Sequence, residues 1–274
     1  MVFWLTATSV VAYSILALLF KAAAMRVRSA PLVYASSVVS TVFGIVFFMV
    51  RGDAWVWPAV GLGFLAGVTF YFATIYRAKA LATSPASLVF AISNLDLIIA
   101  GVVILLLSLF AADGGDPALW RKLLAVALAG VAVLLGAQVR GVETLSRYTY
   151  YCLGLLVIST LAATAYARLY GTLIGLLMLV DFAAGVIPGL HLTRQVTRAE
   201  WLWGGVIGII TFGGFLAMII AQANASELDL PFVLLALNLK TPLTALLAVP
   251  VFKEQLTWQK VAAITLVTVA LFVW

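Results

Sequence analysis

Apolar runs about twenty residues long, parted by short stretches of glycine, proline and charge, recur from one end of the chain to the other. Ten such runs fall near 2–21, 31–50, 55–78, 84–111, 119–139, 149–169, 171–190, 201–222, 229–251 and 256–274. A helix needs ~20 mostly apolar residues to cross a hydrocarbon layer of ~30 Å, so each run predicts one membrane span. Pro31 opens the second run, where its missing N–H would be unpaired in any case. Ala112–Ala118, with two glycines and two aspartates, is the clearest predicted loop. Met1 to Phe20 lacks a basic leading region and carries Lys21, Arg26 and Arg28 on its far side. It is expected to be the first span, not a removable signal.

Composition strengthens the membrane reading. The 274 residues are 65% hydrophobic and 9% charged, with a mean hydropathy of +1.19, outside the range of soluble domains. Ten spans leave only connectors and no second domain. The net charge of +6 does not point to nucleic acid, because basic residues stand singly or in pairs between apolar runs. One cysteine (Cys152) and one histidine (His191) exclude an internal disulfide, a multi-thiol metal site and a multi-histidine metal centre. No cofactor motif is present.

The connectors predict an orientation. Connectors 1–2, 3–4, 5–6, 7–8 and 9–10 hold Lys21, Arg26, Arg28, Arg77, Lys79, Arg140, Arg147, Arg194, Arg198, Lys253 and Lys260. The opposite side holds Arg51, Arg121, Lys122 and Arg168. The richer side is expected in the cytoplasm, with both termini outside.

The chain also repeats itself. W-R-K-L-L-A-V-A-L-A-G-V-A from Trp120 matches W-Q-K-V-A-A-I-T-L-V-T-V-A from Trp258, and N-L-D from Asn94 matches N-L-K from Asn238. A-L-A-T-S from Ala80 likewise resembles Q-A-N-A-S from Gln222. Two halves, 1–147 and 148–274, follow from this. Five spans per half invert the second copy, an arrangement that places transporter substrate sites near mid-membrane.

These residues carry a resemblance. Leu237 to Lys260, L-N-L-K-T-P-L-T-A-L-L-A-V-P-V-F-K-E-Q-L-T-W-Q-K, resembles the ninth span, acidic connector and tenth span of the drug/metabolite transporter superfamily. It is similar above all to the EamA-like and nucleotide-sugar-transporter-like ten-helix branch. The resemblance implies an all-α integral membrane protein of ten transmembrane helices in two inverted five-helix repeats, with spans 5 and 10 at the edge. It implies alternating access to a central cavity, in a multi-pass protein expected in a prokaryotic plasma membrane. In the small multidrug members a glutamate precedes the lysine ending the first span by eight residues; here that position is Tyr13, so proton-coupled drug export by that route is not expected.

Charges inside spans mark candidate chemistry, since Asp or Lys at a helix centre costs about 2.5–3.5 kcal/mol on insertion scales. Asp96 and Lys240 occupy matching places in the two halves. Two readings stay open: a permanent ion pair pinning the halves, or a switchable pair in which Lys240 captures an anionic group and Asp96 balances charge or carries a proton. Pro242 should free the Asn238 carbonyl, grouping an acceptor, an amide, Lys240 and Thr241 within one turn. Asn94, Asp96, Asn238, Lys240, Thr241, Tyr13, Tyr71 and Thr74 are the expected substrate-binding set. Asp96 and Asp181 are candidate proton-coupling sites. Thr6, Ser9 and Tyr13 share one face, as do Tyr71 and Thr74; each group either lines a cavity or joins helices. Gly213-Gly214 reads as close packing or a hinge. Trp55, Trp57, Trp120, Trp201, Trp203 and Trp258 read as interfacial anchors.

A secondary transporter of a small anionic or zwitterionic metabolite is the leading function, with no P-loop for ATP. A flippase for lipid-linked sugars, or a membrane enzyme acting on lipid-linked substrates, are the alternatives; the enzyme would need a nucleophile–base pair or metal cluster that the sequence does not supply. The expected partners are the solute and the lipid bilayer. The fused repeat suits a monomer and leaves a dimer open.

Overall fold

The apolar runs become helices in a computed structural model that describes residues 1–84, 86–111, 119–137, 146–226, 230–253 and 257–273. In chain order these are α1 (Val2–Ala24), α2 (Ser29–Arg51), α3 (Trp57–Thr83), α4 (Ala86–Ser93), α5 (Leu95–Ala111) and α6 (Leu119–Ala137). There follow α7 (Arg147–Leu169), α8 (Ile174–Val186) with a 3-10 stretch at Ile187–Gln195, α9 (Arg198–Asn224), α10 (Leu230–Leu237), α11 (Lys240–Phe252) and α12 (Trp258–Val273). No strand occurs among the described residues. Seven helical stretches there are long and apolar enough to cross a membrane. The predicted loop at 112–118, Arg140 and the 147/148 boundary's approach lie outside the described residues.

Two expectations are corrected. The runs at 84–111 and 229–251, each read as one helix, are divided at Asn94 and at Asn238–Leu239. Arg77 and Lys79, assigned to a connector, lie inside α3, which continues to Thr83. Lys79 is exposed beside the rings of Tyr76 and Tyr148, whereas Arg77 is buried. Removing Arg77 from the basic side leaves ten cations against four.

Helix ends are fixed by local chemistry. Gly52 at the end of α2 adopts φ +65°, the left-handed value glycine takes without penalty. T-R-A-E at 197–200 forms a capping box at the start of α9: Thr197 Oγ1 accepts from the Glu200 N–H at 3.3 Å, and Glu200 Oε2 from the Thr197 N–H at 2.7 Å. Glu200 also receives Arg28 at 2.9 Å, while Arg28 donates to the Gln195 carbonyl. The start of α8 has no cap of its own and borrows one. Asp53 Oδ2 accepts from the N–H groups of Gly175 (2.6 Å) and Leu176 (3.2 Å), and Asp53 is held by Arg51. Asp53→Ala would leave those donors unmatched at the positive end of α8, and is expected to cost about 1–2 kcal/mol of stability. Thermal unfolding of the purified protein reads this, with Asp53→Asn expected to retain part of the loss.

Packing joins early helices to late ones. α3 lies on α7 and α8, α2 on α8 and α9, α1 on α9 and α11, and α6 on α12. α4 meets α11, and α5 meets α10. Lys21 at the end of α1 donates to the carbonyls of Leu81 (2.6 Å) and Ser84 (2.8 Å) at the end of α3. Arg168 at the end of α7 donates to the Ala225 carbonyl, at 3.1 Å, at the end of α9. Of the six candidate anchors, Trp55, Trp57, Trp120, Trp201 and Trp258 are exposed, while Trp203 is half-buried with the Arg26 guanidinium 5.8 Å from its ring.

Candidate solute site

The two helix breaks meet. At the first, the Asn94 N–H still bonds back to Phe90 at 3.0 Å, and the Asn94 carbonyl accepts from Leu97 at 3.3 Å. At the second, Asn238, Leu239 and Thr241 donate to the carbonyls of Leu235, Ala236 and Asn238 at 3.0, 3.0 and 2.9 Å. These are tighter three-residue bonds, so the Asn238 carbonyl is not free. The expectation based on Pro242 is overturned because the helix has already been broken one turn earlier. Asn94 Nδ2 crosses to Thr241 Oγ1 at 2.8 Å and ties one break to the other. Asn238 is fully buried, bonding Leu234 O through Nδ2 (3.2 Å) while its Oδ1 has no partner.

Restarting the helices puts charge at their first turns. Asp96 lies in the first turn of α5, where a helix dipole favours an acid. Lys240 is the first residue of α11, where the same dipole opposes a cation. Both line one cavity of about 50 Å³, together with Tyr13, Arg77 and Thr160. No ion pair joins them; the ion pairs among the described residues are Arg28–Glu200 and Arg51–Asp53. The Lys240 ammonium instead rests 5.0 Å from the centre of the Tyr13 ring, and Ser14 Oγ donates to the Lys240 carbonyl at 3.3 Å. Asp96 Oδ2 accepts from the Thr160 hydroxyl at 2.6 Å, while buried Oδ1 is unmatched.

Arg77 was missed by the sequence reading. It is 8% exposed, its Cζ lies 5.4 Å from the centre of the Phe90 ring, and its Nε has no partner. The signal was present in spacing: Tyr71, Thr74 and Arg77 are each three apart on α3 and therefore on neighbouring positions of one face. Tyr71 and Thr74 line a second cavity, of about 20 Å³, with Asp181 and again Arg77. Asp181 thus stands apart from Asp96, one carboxylate in each cavity. A water needs roughly 10–15 Å³ on this measure, so the smaller cavity holds about one water and the larger a few.

The remaining candidates divide. Thr6 lines a third, apolar cleft, whereas Ser9 Oγ donates to the Gly214 carbonyl at 3.1 Å and joins α1 to α9. A Cβ at Gly214 would meet Ala12 Cβ at 3.1 Å, whereas one at Gly213 would meet nothing within 4 Å. Cys152 is buried and free; His191 is exposed on the 3-10 stretch. No group of three metal-ligating side chains occurs among the described residues.

The helices, their apolar exteriors and charges turned onto internal cavities define a multi-pass α-helical membrane protein. No family model matches the chain, and no curated protein matches it. It is similar in fold to a crystal structure of another protein, at TM-score 0.71 and 18% sequence identity, covering 98% of this chain and 94% of that one.

Proposed function

We propose that the protein is a secondary transporter of the drug/metabolite type, moving a small anionic or zwitterionic solute by alternating access. The carrying observation is that Lys240, Arg77, Asp96 and Tyr13 face one cavity where two broken helices meet. Two cations and one carboxylate around a small cavity suit a solute with an anionic group. A permanent structural ion pair would need contact that Asp96 and Lys240 do not make.

In this reading the chain crosses the membrane ten times, with α4–α5, α8 with its 3-10 extension, and α10–α11 each forming one crossing. The halves are inverted copies. Support comes from contacts that exchange under the pairing: α3 on α7 answers α1 on α9, and α2 on α9 answers α3 on α8. The Lys21 and Arg168 anchors answer one another in the same way. The basic excess still favours cytoplasmic connectors and external termini.

Purified protein in liposomes should exchange labelled organic anions down a gradient without nucleotide, and Asp96→Asn should abolish that exchange. Strict dependence on ATP, or full activity of the Asp96→Asn protein, rejects the reading.

A further inference from the structure

We infer that the apolar cleft between α1 and α10 receives the hydrophobic part of an amphiphilic solute whose anionic end reaches Lys240. This rests on the transporter reading and names the class of solute.

Size is the first argument. The two charged cavities, of about 50 and 20 Å³, have room only for waters, whereas the cleft measures about 550 Å³. Sites for small organic ligands run to roughly 300–1,000 Å³, so among the described cavities only the cleft accommodates a carbon skeleton.

Position is the second. Val2, Phe3 and Val10 of α1 form one wall and Phe232 and Leu239 the other. Val2 to Val10 spans about 12 Å of helix. Phe3 is 68% exposed and Val11 50%, so the mouth opens where lipid chains lie. The inner end abuts the charged cavity. Leu239 lines the cleft and its neighbour Lys240 lines the cavity; Val10 lines the cleft and Tyr13, one turn on, lines the cavity. The two spaces are thus lined by neighbouring residues, both on α1 and at the break between α10 and α11.

Charge is the third. Lipid tails are as apolar as the cleft wall, so hydrophobic contact alone would not favour a solute over bulk lipid. Selection must come from the inner end, where an anionic head would gain charge-assisted hydrogen bonds from Lys240 in a setting of low dielectric.

The test uses the full chain in phosphatidylcholine nanodiscs at neutral pH, with a dansyl-labelled medium-chain fatty acid and its methyl ester as probes. Tryptophan-to-dansyl energy transfer above that of empty nanodiscs reads binding. The acid is expected to bind saturably and at least about tenfold tighter than the ester. Lys240→Gln should erase that preference, and Ala7→Phe, which fills the cleft wall, should weaken the acid by at least about tenfold. Equal binding of acid and ester to the unaltered protein reduces the cleft to a lipid contact and overturns the inference, whatever the variants do. Unchanged affinity in a folded Ala7→Phe protein places the acid elsewhere and also overturns it. Binding is read without flux: binding without transport would sink the transporter reading, and transport of small polar anions without this binding would sink only the inference.

Discussion

Replacing Lys240 with alanine is expected to cut solute uptake by about 30- to 4,000-fold while leaving the folded protein extractable. The range follows from the 2–5 kcal/mol lost when one partner of a desolvated charge pair is removed, at about 1.4 kcal/mol per tenfold. Lys240 is not held by a carboxylate. It sits at the first turn of α11, against the dipole, with the Tyr13 ring beneath its ammonium. Its removal therefore breaks no ion pair, and relief at the helix start is worth about 0.3–1 kcal/mol in the stabilising direction. Uptake and stability should separate: flux collapses while the unfolding midpoint holds or rises. Lys240→Arg keeps the charge but replaces a compact ammonium with a planar fork, and partial activity is expected. Equal loss of flux and stability would assign Lys240 to the architecture instead.

The second large effect concerns the frame. Gly67→Ala is expected to destabilise the protein by about 3 kcal/mol or more, at the upper end for overpacking. A Cβ there would lie 1.9 Å from the Asp181 carbonyl oxygen and 2.8 Å from its Cα. Backbone cannot rotate aside as a side chain does, so α3 and α8 must part. That would also displace Asp181, which lines the small cavity with Tyr71 and Arg77. Gly213→Ala is the control: its Cβ meets nothing within 4 Å, and alanine in a helix interior gains roughly 0.5–1 kcal/mol over glycine. Unfolding midpoints in detergent should therefore move in opposite directions. Matching shifts would mean that α3 and α8 are not in backbone contact.

The helices were legible because hydropathy averages over about twenty residues, and the Asn94 and Asn238 motifs were legible because the chain writes them twice. What averaging conceals is a break one or two residues long. Pro242 signals an interruption in the run at 229–251 but does not place it, the break falling a turn earlier at Asn238–Leu239, and the run at 84–111 has no proline near Asn94 to signal its own. Arg77 was hidden by its place beside Lys79 near the end of a run, where an anchoring cation and a buried one have the same spelling. Only its three-residue spacing from Thr74 and Tyr71 set it apart. The cleft is illegible in principle, since its volume depends on how far α1 stands from α10 and not on any residue alone.

Thiol accessibility at the two charged positions bears most directly on the account. In a Cys152→Ala chain reconstituted in vesicles, Asp96→Cys and Lys240→Cys should each react with a membrane-impermeant cationic thiol reagent, and a bound anionic solute should slow the reaction at Asp96→Cys, the variant that keeps Lys240. Trp55→Cys, at a position 50% exposed in the α2–α3 connector, reports that the reagent is active. If Trp55→Cys reacts while both interior positions stay inert, with or without solute, the charged cavity is closed to water and the proposed path through it does not exist.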